Sequence, residues 1–356
     1  MYLYENPEWT DFRWDDSRVA PLLADVRFEQ GRLLGRVKDL GFHITGVAEA
    51  DLLTDEIVDS FEIEGIRLDA QAVRSSVARL LGIEIAPMKK ASALEDGAVS
   101  LIADATSHYA ERMSRKRLLG WNAALFPTGF SGLSKIKTGA YRSDDMQVVS
   151  GGFGHEKVHF QAPPPSEVDG LMRAFIDWLN NNHETDPVMK AAIAHLWFLT
   201  IHPFDDGNGR IARALTEMLL ARSDRSSRRF YTMSAQILKR QTEYYDVVEM
   251  AQKGTDDITM WIEWFLITLK DSLLASEQRL DSVLQRARFW QNAQNLDLNG
   301  RQRAMLMRVL GDFEGKLTAA KWAKMMKVSH DTALRDDGGA CADCCLRAAA
   351  CGRSDF

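Results

Sequence analysis

One twelve-residue segment of this 356-residue chain carries the side chains best suited to chemistry. Residues 202–213 read His-Pro-Phe-Asp-Asp-Gly-Asn-Gly-Arg-Ile-Ala-Arg. His202 is the only side chain among them that accepts a proton near neutral pH, so it predicts a general base acting on a hydroxyl. Asp206 offers the kind of carboxylate that holds Mg²⁺ where the ion bridges two phosphates.

The glycine-rich half of the segment predicts an anion site. Gly207, Asn208 and Gly209 precede an expected helix, so backbone N–H groups can approach an anion closely and the helix N-terminus adds partial positive charge. Arg210 and Arg213 lie three residues apart and can reach neighbouring phosphates. The whole segment therefore suits a polyphosphate, with an ordinary glycine-rich surface loop as the alternative.

Apolar periodicity predicts the helices that must position this segment. Apolar residues recur at three- and four-residue intervals over 168–180, and again from Pro187 to about Thr200, directly before His202. The same periodicity recurs after the segment, from Ile211 onwards, and over 17–101 and 258–295. Helices therefore dominate the expected fold, and the aromatic N-terminal stretch is expected to pack on its body.

The region between Trp121 and Pro165 predicts a β-hairpin instead. Glycines separate two short strand-like runs, 147–149 and 157–160. The second run overlaps a His-Glu-x-x-His sequence, the zinc protease signature, which requires both histidines on one face of a helix. On a strand, His155 and His159 would lie roughly 13 Å apart at about 3.3 Å per residue. A hairpin with an open edge, able to align a target segment by strand addition, is the preferred interpretation.

Overall composition describes an ordinary globular protein, with 46% apolar and 26% charged residues. No apolar run approaches the roughly 18–20 residues that span a bilayer, and the N-terminus lacks the features of a signal peptide. We therefore expect a cytoplasmic protein without a membrane partner. The net charge of −6 argues against non-specific binding to nucleic acid.

The C-terminal segment has a different character. Residues 319–335 predict two short helices joined by a tight turn, with Ser329 at the second N-cap, as in a helix-turn-helix. Residues 301–335 carry a local charge of +5, from eight Lys and Arg against three Asp and Glu. All the cysteines follow, so no disulfide framework holds the fold. The cysteines are Cys341, Cys344, Cys345 and Cys351. They could bind zinc, or the whole tail from Asp336 could result from a reading-frame slip.

The segment 202–213 matches the signature of the Fic family, His-x-Phe-x-(Asp/Glu)-Gly-Asn-Gly-Arg-x-x-Arg, at every specified position. The resemblance extends over about residues 100–285. It implies a mainly α fold, with a Fic-type helical core, a β-hairpin flap and a small C-terminal winged-helix-like domain. It also implies transfer of AMP from ATP to a Tyr, Ser or Thr hydroxyl, with release of pyrophosphate. Glycine at Gly209, where a kinase-like branch carries lysine, favours AMP transfer over phosphate transfer.

The resemblance also implies residue roles. His202 would be the base, Asp206 the Mg²⁺ ligand, and Arg210 and Arg213 the holders of the β- and γ-phosphates. A target protein would dock on the flap near residues 147–161, and a homodimer is also possible. The nucleotide-binding set comprises Gly207, Asn208, Gly209, Arg210, Ile211, Ala212, Arg213 and Lys239, the last by alignment with a polar position of the adenine pocket.

A second motif resembles the inhibitory sequence of the family, (Ser/Thr)-x-x-x-Glu-(Gly/Asn). It comprises Ser60, Glu64 and Gly65, in a helix expected over about 55–66. Ser60 is expected to cap this short helix, and Glu64 to pair with Arg213, which then could not hold the γ-phosphate. An ordinary surface helix turn is the alternative. The resemblance further allows the same glutamate to support removal of AMP.

Together these features predict an N-terminal helical region over residues 1–95, a Fic domain over 96–287 and a helix-turn-helix or winged-helix-like domain over 288–356. The leading functional interpretation is an autoinhibited protein adenylyltransferase. The alternative is a nucleotide-sensing transcriptional regulator that binds DNA through its helix-turn-helix.

Three further side chains near the signature have two interpretations each. His195 fits a hydrogen-bonded core histidine better than a catalytic partner. Tyr244 and Tyr245 fit a helical core, with contact to adenine as the alternative.

Overall fold

The computed structural model describes residues 2–38, 42–83, 89–150, 157–292, 299–310 and 318–337. The described chain divides into two compact units, residues 1–280 and 281–356. His155 and the four cysteines at 341, 344, 345 and 351 lie outside the described residues, as does the segment in which a wing would fall. The predicted winged-helix form and the domain boundaries stay predictions.

Helices dominate the first unit, which confirms the mainly α prediction. In chain order its elements are α1 (Asp16–Lys38), α2 (Phe42–Ile63), α3 (Ala70–Leu81), α4 (Ala93–Ser107), α5 (Arg115–Leu125), β1 (Phe130–Ser131), β2 (Ser134–Lys135), β3 (Gln147–Ser150), β4 (Lys157–Gln161), α6 (Pro165–Asn181), α7 (Pro187–Ile201), α8 (Asn208–Asp224), α9 (Ser234–Lys239), α10 (Gln241–Gln252) and α11 (Thr259–Asn292). The last of these continues into the second unit.

The central helix of the first unit is α7, and it is buried on every side. All its residues from Val188 to Ile201 are buried, as expected for a helix that is apolar around its whole circumference. Asp186 caps its start by accepting a hydrogen bond from the Val188 amide at 2.8 Å, and Pro187 occupies the first turn. Helix α7 packs along α8, so the loop between them is held from both ends.

The aromatic N-terminal segment packs on this body, as predicted. Trp9 and Phe12 each lie 5.8 Å from the ring of Trp197 on α7. Tyr2 and Tyr4 contact Phe160 on β4 edge-on, with ring centroids 5.3 and 6.0 Å apart. The segment therefore ties the buried helix to the base of the hairpin.

The strands β3 and β4 form the predicted antiparallel pair, with Gln147 opposite Gln161 and an irregular register between Val148 and Val149. The loop between them, residues 151–156, lies outside the described residues. His159 is therefore on a strand, and the helical setting that a zinc protease motif requires is absent at this residue. A second, shorter antiparallel pair joins β1 to β2.

The second unit contains α12 (Gly300–Leu310), α13 (Ala319–Met326) and α14 (His330–Asp337). Helices α13 and α14 match the predicted pair. Lys327 turns the chain in a left-handed conformation with φ of 54°. The Ser329 hydroxyl accepts a hydrogen bond from the Thr332 amide at 3.2 Å, as expected of an N-cap. In the described part of the chain, no helix combines the length and apolarity needed to cross a bilayer.

Close packing between α4 and α5 generates a test of the fold. A Cβ atom added at Gly97 would lie 2.0 Å from the backbone oxygen of Ala124. We therefore expect Gly97→Ala to lower the free energy of unfolding by about 1–3 kcal/mol, since the backbones must move apart. Gly120 on α5 is the matched control, because an added Cβ meets nothing within 4 Å there.

Gly120→Ala should instead stabilise the protein by roughly 0.5–1 kcal/mol, through the better helix propensity of alanine. Chemical denaturation of both variants measures the difference. Equal stabilities of the two variants would contradict the described packing of α4 on α5.

Candidate active site

The loop between α7 and α8 is closed by one side chain. The Asn208 amide nitrogen donates to the Phe204 carbonyl at 2.8 Å, and its oxygen accepts from the Phe204 amide at 3.0 Å. Phe204 is fully buried, so the loop is held by a core aromatic residue as well. The Asn208 side chain therefore shapes the loop and does not point at a ligand. Ile211 and Ala212 likewise direct their side chains into the core.

His202 lies where α7 ends and adopts a left-handed conformation with φ of 49°. Its Nδ1 lies 3.3 Å from the Leu199 carbonyl, which can only accept, so Nδ1 carries the proton. Burial lowers the pKa of His202 to about 4, and the charge of Arg142 adds to this effect. The imidazole is therefore neutral at pH 7, with Nε2 available as a proton acceptor.

The carboxylate of Asp206 lies on the same loop, with its side chain 37% exposed. Its Oδ1 accepts hydrogen bonds from the Gly207 amide at 2.5 Å and from Arg210 Nη2 at 3.1 Å, and its Oδ2 accepts one from the Ser131 hydroxyl. The group is thus fixed in direction and still reachable from solvent. No group of three or more potential metal ligands converges among the residues the structure describes.

Arg213 is buried on the first turns of α8, with 2% of its surface exposed. Its Nε donates to the Ser60 hydroxyl at 2.8 Å, and its Nη2 donates to the Ser60 carbonyl at 2.7 Å and to Glu64 Oε1 at 2.8 Å. Two stretches about 150 residues apart in sequence therefore meet here. The predicted pairing of Glu64 with Arg213 is present in the structure.

The Glu64 carboxylate lies directly over the start of α8. A Cβ atom on Gly209 would come within 2.2 Å of Glu64 Oε1, so only glycine leaves room for the carboxylate. This is the position at which the sequence predicted an anion, at the positive end of a helix. A carboxylate of the protein itself therefore lies against the predicted phosphate cradle.

The end of α2 fixes the direction of Glu64. Gly65 has φ of 72°, its amide donates to the Glu62 carbonyl at 2.9 Å, and the Ile66 amide donates to the Phe61 carbonyl at 3.0 Å. These two bonds form a Schellman motif, in which glycine supplies the left-handed residue. Glu64 consequently projects from a well-defined helix end.

The expected role of Ser60 as the cap of a short helix over 55–66 is wrong. Helix α2 begins at Phe42 and ends at Ile63, so Ser60 lies in its last turn and cannot cap its start. Its hydroxyl and carbonyl instead accept hydrogen bonds from Arg213. The motif occupies the C-terminal end of a long helix, whose partial negative charge also favours a nearby guanidinium.

Two sequence profiles match the chain. The profile described as a domain of unknown function (DUF4172) matches residues 2–83, and that of the Fic/DOC family matches residues 112–220. Residues 112–220 form a Fic domain. The signature, His202 and both arginines lie within it, whereas Ser60 and Glu64 belong to the stretch matched by the other profile.

Curated relatives match over shorter stretches. A probable protein adenylyltransferase of Aquifex aeolicus is 42% identical over 80 residues, covering 22% of this chain and 23% of that protein. The protein adenylyltransferase Fic of Drosophila willistoni is 36% identical over 94 residues, covering 26% and 18% respectively. The matched stretch thus spans less than a quarter of the length of these relatives.

Solved structures show the same fold over more of the chain. A Fic family protein from Desulfovibrio desulfuricans aligns with a TM-score of 0.54 and 24% identity, covering 89% of this chain and 87% of that one. Fic-1 from C. elegans aligns with a TM-score of 0.51 and 20% identity, covering 74% of each chain. At these sequence identities, the structural similarity shows the fold alone.

The Fic domain contains two supporting residues that the sequence did not reveal. Arg142 is 3% exposed and donates to the His202 carbonyl at 2.8 Å and to the Pro163 carbonyl at 2.6 Å, linking His202 to the foot of β4. Asn122 is fully buried on α5 and donates to the Asp206 carbonyl at 3.1 Å. Each is a single polar residue outside any motif, so only its burial in the structure indicates its supporting role.

Other side chains near the Fic signature have structural roles. His195 is 1% exposed, and its ring nitrogens hydrogen-bond to the Thr216 and Tyr244 hydroxyls at 2.8 and 2.9 Å, as expected for a core histidine. The Tyr245 hydroxyl donates to the carbonyl of Ile63 at the end of α2. Lys239 lies exposed at the end of α9, and its proposed contact with adenine stays a prediction.

The protonation of His202 provides a test of this geometry. Because its pKa in the folded protein lies near 4, below the ordinary value of 6.5, the imidazole should remain neutral at pH 5.5. The stability that depends on the neutral form is complete above about pH 6.5 and falls as the pH drops towards 4. Histidine NMR titration, with His202→Ala to assign the resonance, measures the midpoint. A midpoint near 6.5 would contradict the described surroundings of the ring.

Proposed function

We propose that this chain is an autoinhibited protein adenylyltransferase. It would transfer AMP from ATP to a Tyr, Ser or Thr hydroxyl of a target protein, and to itself, with release of pyrophosphate. The observation that carries the proposal is one segment, the loop between α7 and α8 with the first turns of α8, that presents a neutral His202, the reachable carboxylate of Asp206 and two buried arginines. The Fic domain and the adenylyltransferase relatives support the same reaction class.

In the proposed reaction, the hydroxyl oxygen of the target attacks the α-phosphorus of ATP. A new oxygen–phosphorus bond forms, the bond from the α-phosphorus to the bridging oxygen breaks, and pyrophosphate leaves. His202 takes the hydroxyl proton on Nε2, because its Nδ1 proton is committed to the Leu199 carbonyl. Such general-base assistance is worth roughly 10²- to 10⁴-fold in rate.

The remaining residues of the loop would hold the triphosphate. Arg210 lies between the rings of Phe61 and Phe126, at 5.1 and 4.9 Å, which keeps its guanidinium aimed at the loop for the β-phosphate. Asp206 suits Mg²⁺, because this ion needs only one or two carboxylates when phosphates and waters complete its shell. The ion would neutralise charge on the phosphates.

Autoinhibition follows from the partners of Arg213. Its Nε and Nη2 are already engaged by Ser60 and Glu64, and among the described residues only Nη1 has no partner, so the guanidinium cannot offer a fork of two nitrogens to a γ-phosphate. The Glu64 carboxylate also places negative charge at the phosphate cradle. ATP would then bind with its α-phosphate misplaced for attack.

Target docking would use the hairpin. Strands β3 and β4 pair only with each other in the described residues, so an extended target segment can add to an edge through backbone hydrogen bonds. His159 secures this hairpin to α10, because its ring hydrogen-bonds to Ser150 on β3 and to Glu249 on α10. A secured edge would align the target hydroxyl with His202.

The proposal predicts the behaviour of the Glu64→Gly variant. Loss of the carboxylate frees Arg213, and AMP incorporation from labelled ATP into the protein itself and into lysate proteins should rise by about 10- to 100-fold. This range corresponds to the roughly 1.5–3 kcal/mol of a charge-assisted hydrogen bond. The combined variant with His202→Ala should be inactive.

Glu62→Gly is the matched control, since Glu62 is an exposed glutamate two residues before Glu64 and the change removes a carboxylate that does not contact Arg213. Activity equal to that of the unmodified chain is expected for this control. If Glu64→Gly transfers no more AMP than the control does, Glu64 is not the inhibitor.

A further inference from the structure

Glu56 is a buried carboxyl on the face of α2 that leads through Ser60 to Glu64, just beyond the helix end. Glu56 precedes Ser60 by four residues, as Ser60 precedes Glu64, so the three lie along one side of the helix. Glu56 is 3% exposed. It accepts hydrogen bonds from the Thr232 hydroxyl and, at 3.2 Å, from the Ser234 amide, and it also contacts the Ser234 hydroxyl at 2.5 Å. Glu56 thereby fastens α2 to the start of α9.

Glu56 shares a buried cluster with other carboxyls. Across the interface, Glu217 on α8 is 2% exposed and accepts a hydrogen bond from Arg229 Nε at 2.9 Å. Its other oxygen, Oε1, has no hydrogen-bond partner among the described residues. Arg229 is also paired with Asp224. The guanidinium of Arg229 therefore pairs with two of the buried carboxyls, Glu217 and Asp224, and leaves Glu56 without a cationic partner. Low-dielectric surroundings penalise this third negative charge.

The other charged or titratable groups facing Glu56 do not relieve this excess. Arg213, on α8, lines the same buried space but is engaged by Glu64. His195, on α7, lines it too, and burial lowers the pKa of His195 to about 3, so this ring is neutral. The α11 side chains that complete the lining are aromatic and uncharged. A proton on a carboxyl is the remaining way to balance the cluster.

We propose that Glu56 is a protonation-dependent latch for the inhibitory helix. The neutral carboxyl holds α2 on α8 and α9, and its ionisation favours departure of α2, which takes Ser60 and Glu64 away from Arg213. The inference rests on the proposed function only for its consequence, the control of AMP transfer. The protonation of Glu56 can be tested without any reaction.

The direction of the pH effect follows from linkage. Burial, and next the charge of Glu217, raises the pKa of Glu56 to about 8 from an ordinary value of 4.5. The stabilisation that the neutral Glu56 carboxyl gives to the docked position of α2 is therefore complete below about pH 4.5 and is lost as the pH rises through 8. Within this window the released population grows by up to about tenfold per pH unit, and it levels off above pH 8.

The first test measures AMP incorporation by the unmodified chain relative to Glu64→Gly between pH 6 and 9. The ratio removes the pH dependence of the chemical step, because Glu64→Gly lacks the inhibitor at every pH. We expect the ratio to rise by more than about tenfold from pH 6 to 8 and then to level off. In Glu56→Gln, which keeps the hydrogen bonds and loses the titration, the ratio should stay low and flat.

Glu62→Gln is the control for this experiment, because it removes an exposed carboxylate from the same helix; it should follow the unmodified chain. A ratio that is flat for the unmodified chain overturns the proposal, whether or not Glu56→Gln folds. A rise that persists in folded Glu56→Gln overturns it as well.

The second test observes the proton directly. Infrared difference spectra between the unmodified chain and Glu56→Gln should show the C=O band of a protonated carboxyl at pH 6.5, and that band should disappear above about pH 8.5. Absence of the band at pH 6.5 overturns the latch. If Glu64→Gly transfers no AMP at any pH while the band titrates as expected, the proposed function fails and the protonated Glu56 stands.

Discussion

The contact between Arg213 and the end of α2 is the interaction on which the rest of the site depends. A buried guanidinium is costly unless its donors have partners, and Nε and Nη2 of Arg213 find them in the Ser60 hydroxyl, the Ser60 carbonyl and the Glu64 carboxylate. Nη1 has no hydrogen-bond partner among the described residues. The partially negative end of α2 meets the partially positive start of α8 at the same point, which favours the arrangement further. Any phosphate that is to bind Arg213 must replace these partners.

The surrounding fold makes this contact specific. Helix α7 is buried on all sides, so it cannot shift without opening the core. The left-handed His202, the Asn208 amide and the buried Phe204 then hold the loop in one shape between α7 and α8. The missing side chain of Gly209 leaves space that either a carboxylate or a phosphate can enter. On the proposed function, Glu64 and the nucleotide would therefore compete for one preformed cradle.

The sequence predicted the parts of this arrangement that follow from periodicity or from a dense motif. Helices α6 and α7, strands β3 and β4, and the pairing of Glu64 with Arg213 all agree with the structure. The start of α2 at Phe42 was not predicted, because Ser60 resembles the cap of a short helix, whereas the helix runs through Ser60 to Ile63. The sequence did not reveal Asn122, Arg142 and Glu56, because each has its role through hydrogen bonds made in the buried interior. The residues next to a single polar residue in the sequence do not show whether it is buried.

The central claim is that Glu64 and the γ-phosphate of ATP exclude each other at Arg213. Crystal structures of the unmodified chain and of Glu64→Gly, each soaked with Mg²⁺ and a non-hydrolysable ATP analogue, test this claim most directly. The account predicts that the γ-phosphate contacts Arg213 only in Glu64→Gly, and that Glu64 keeps this position in the unmodified chain. A γ-phosphate bound to Arg213 with Glu64 still in place would contradict it.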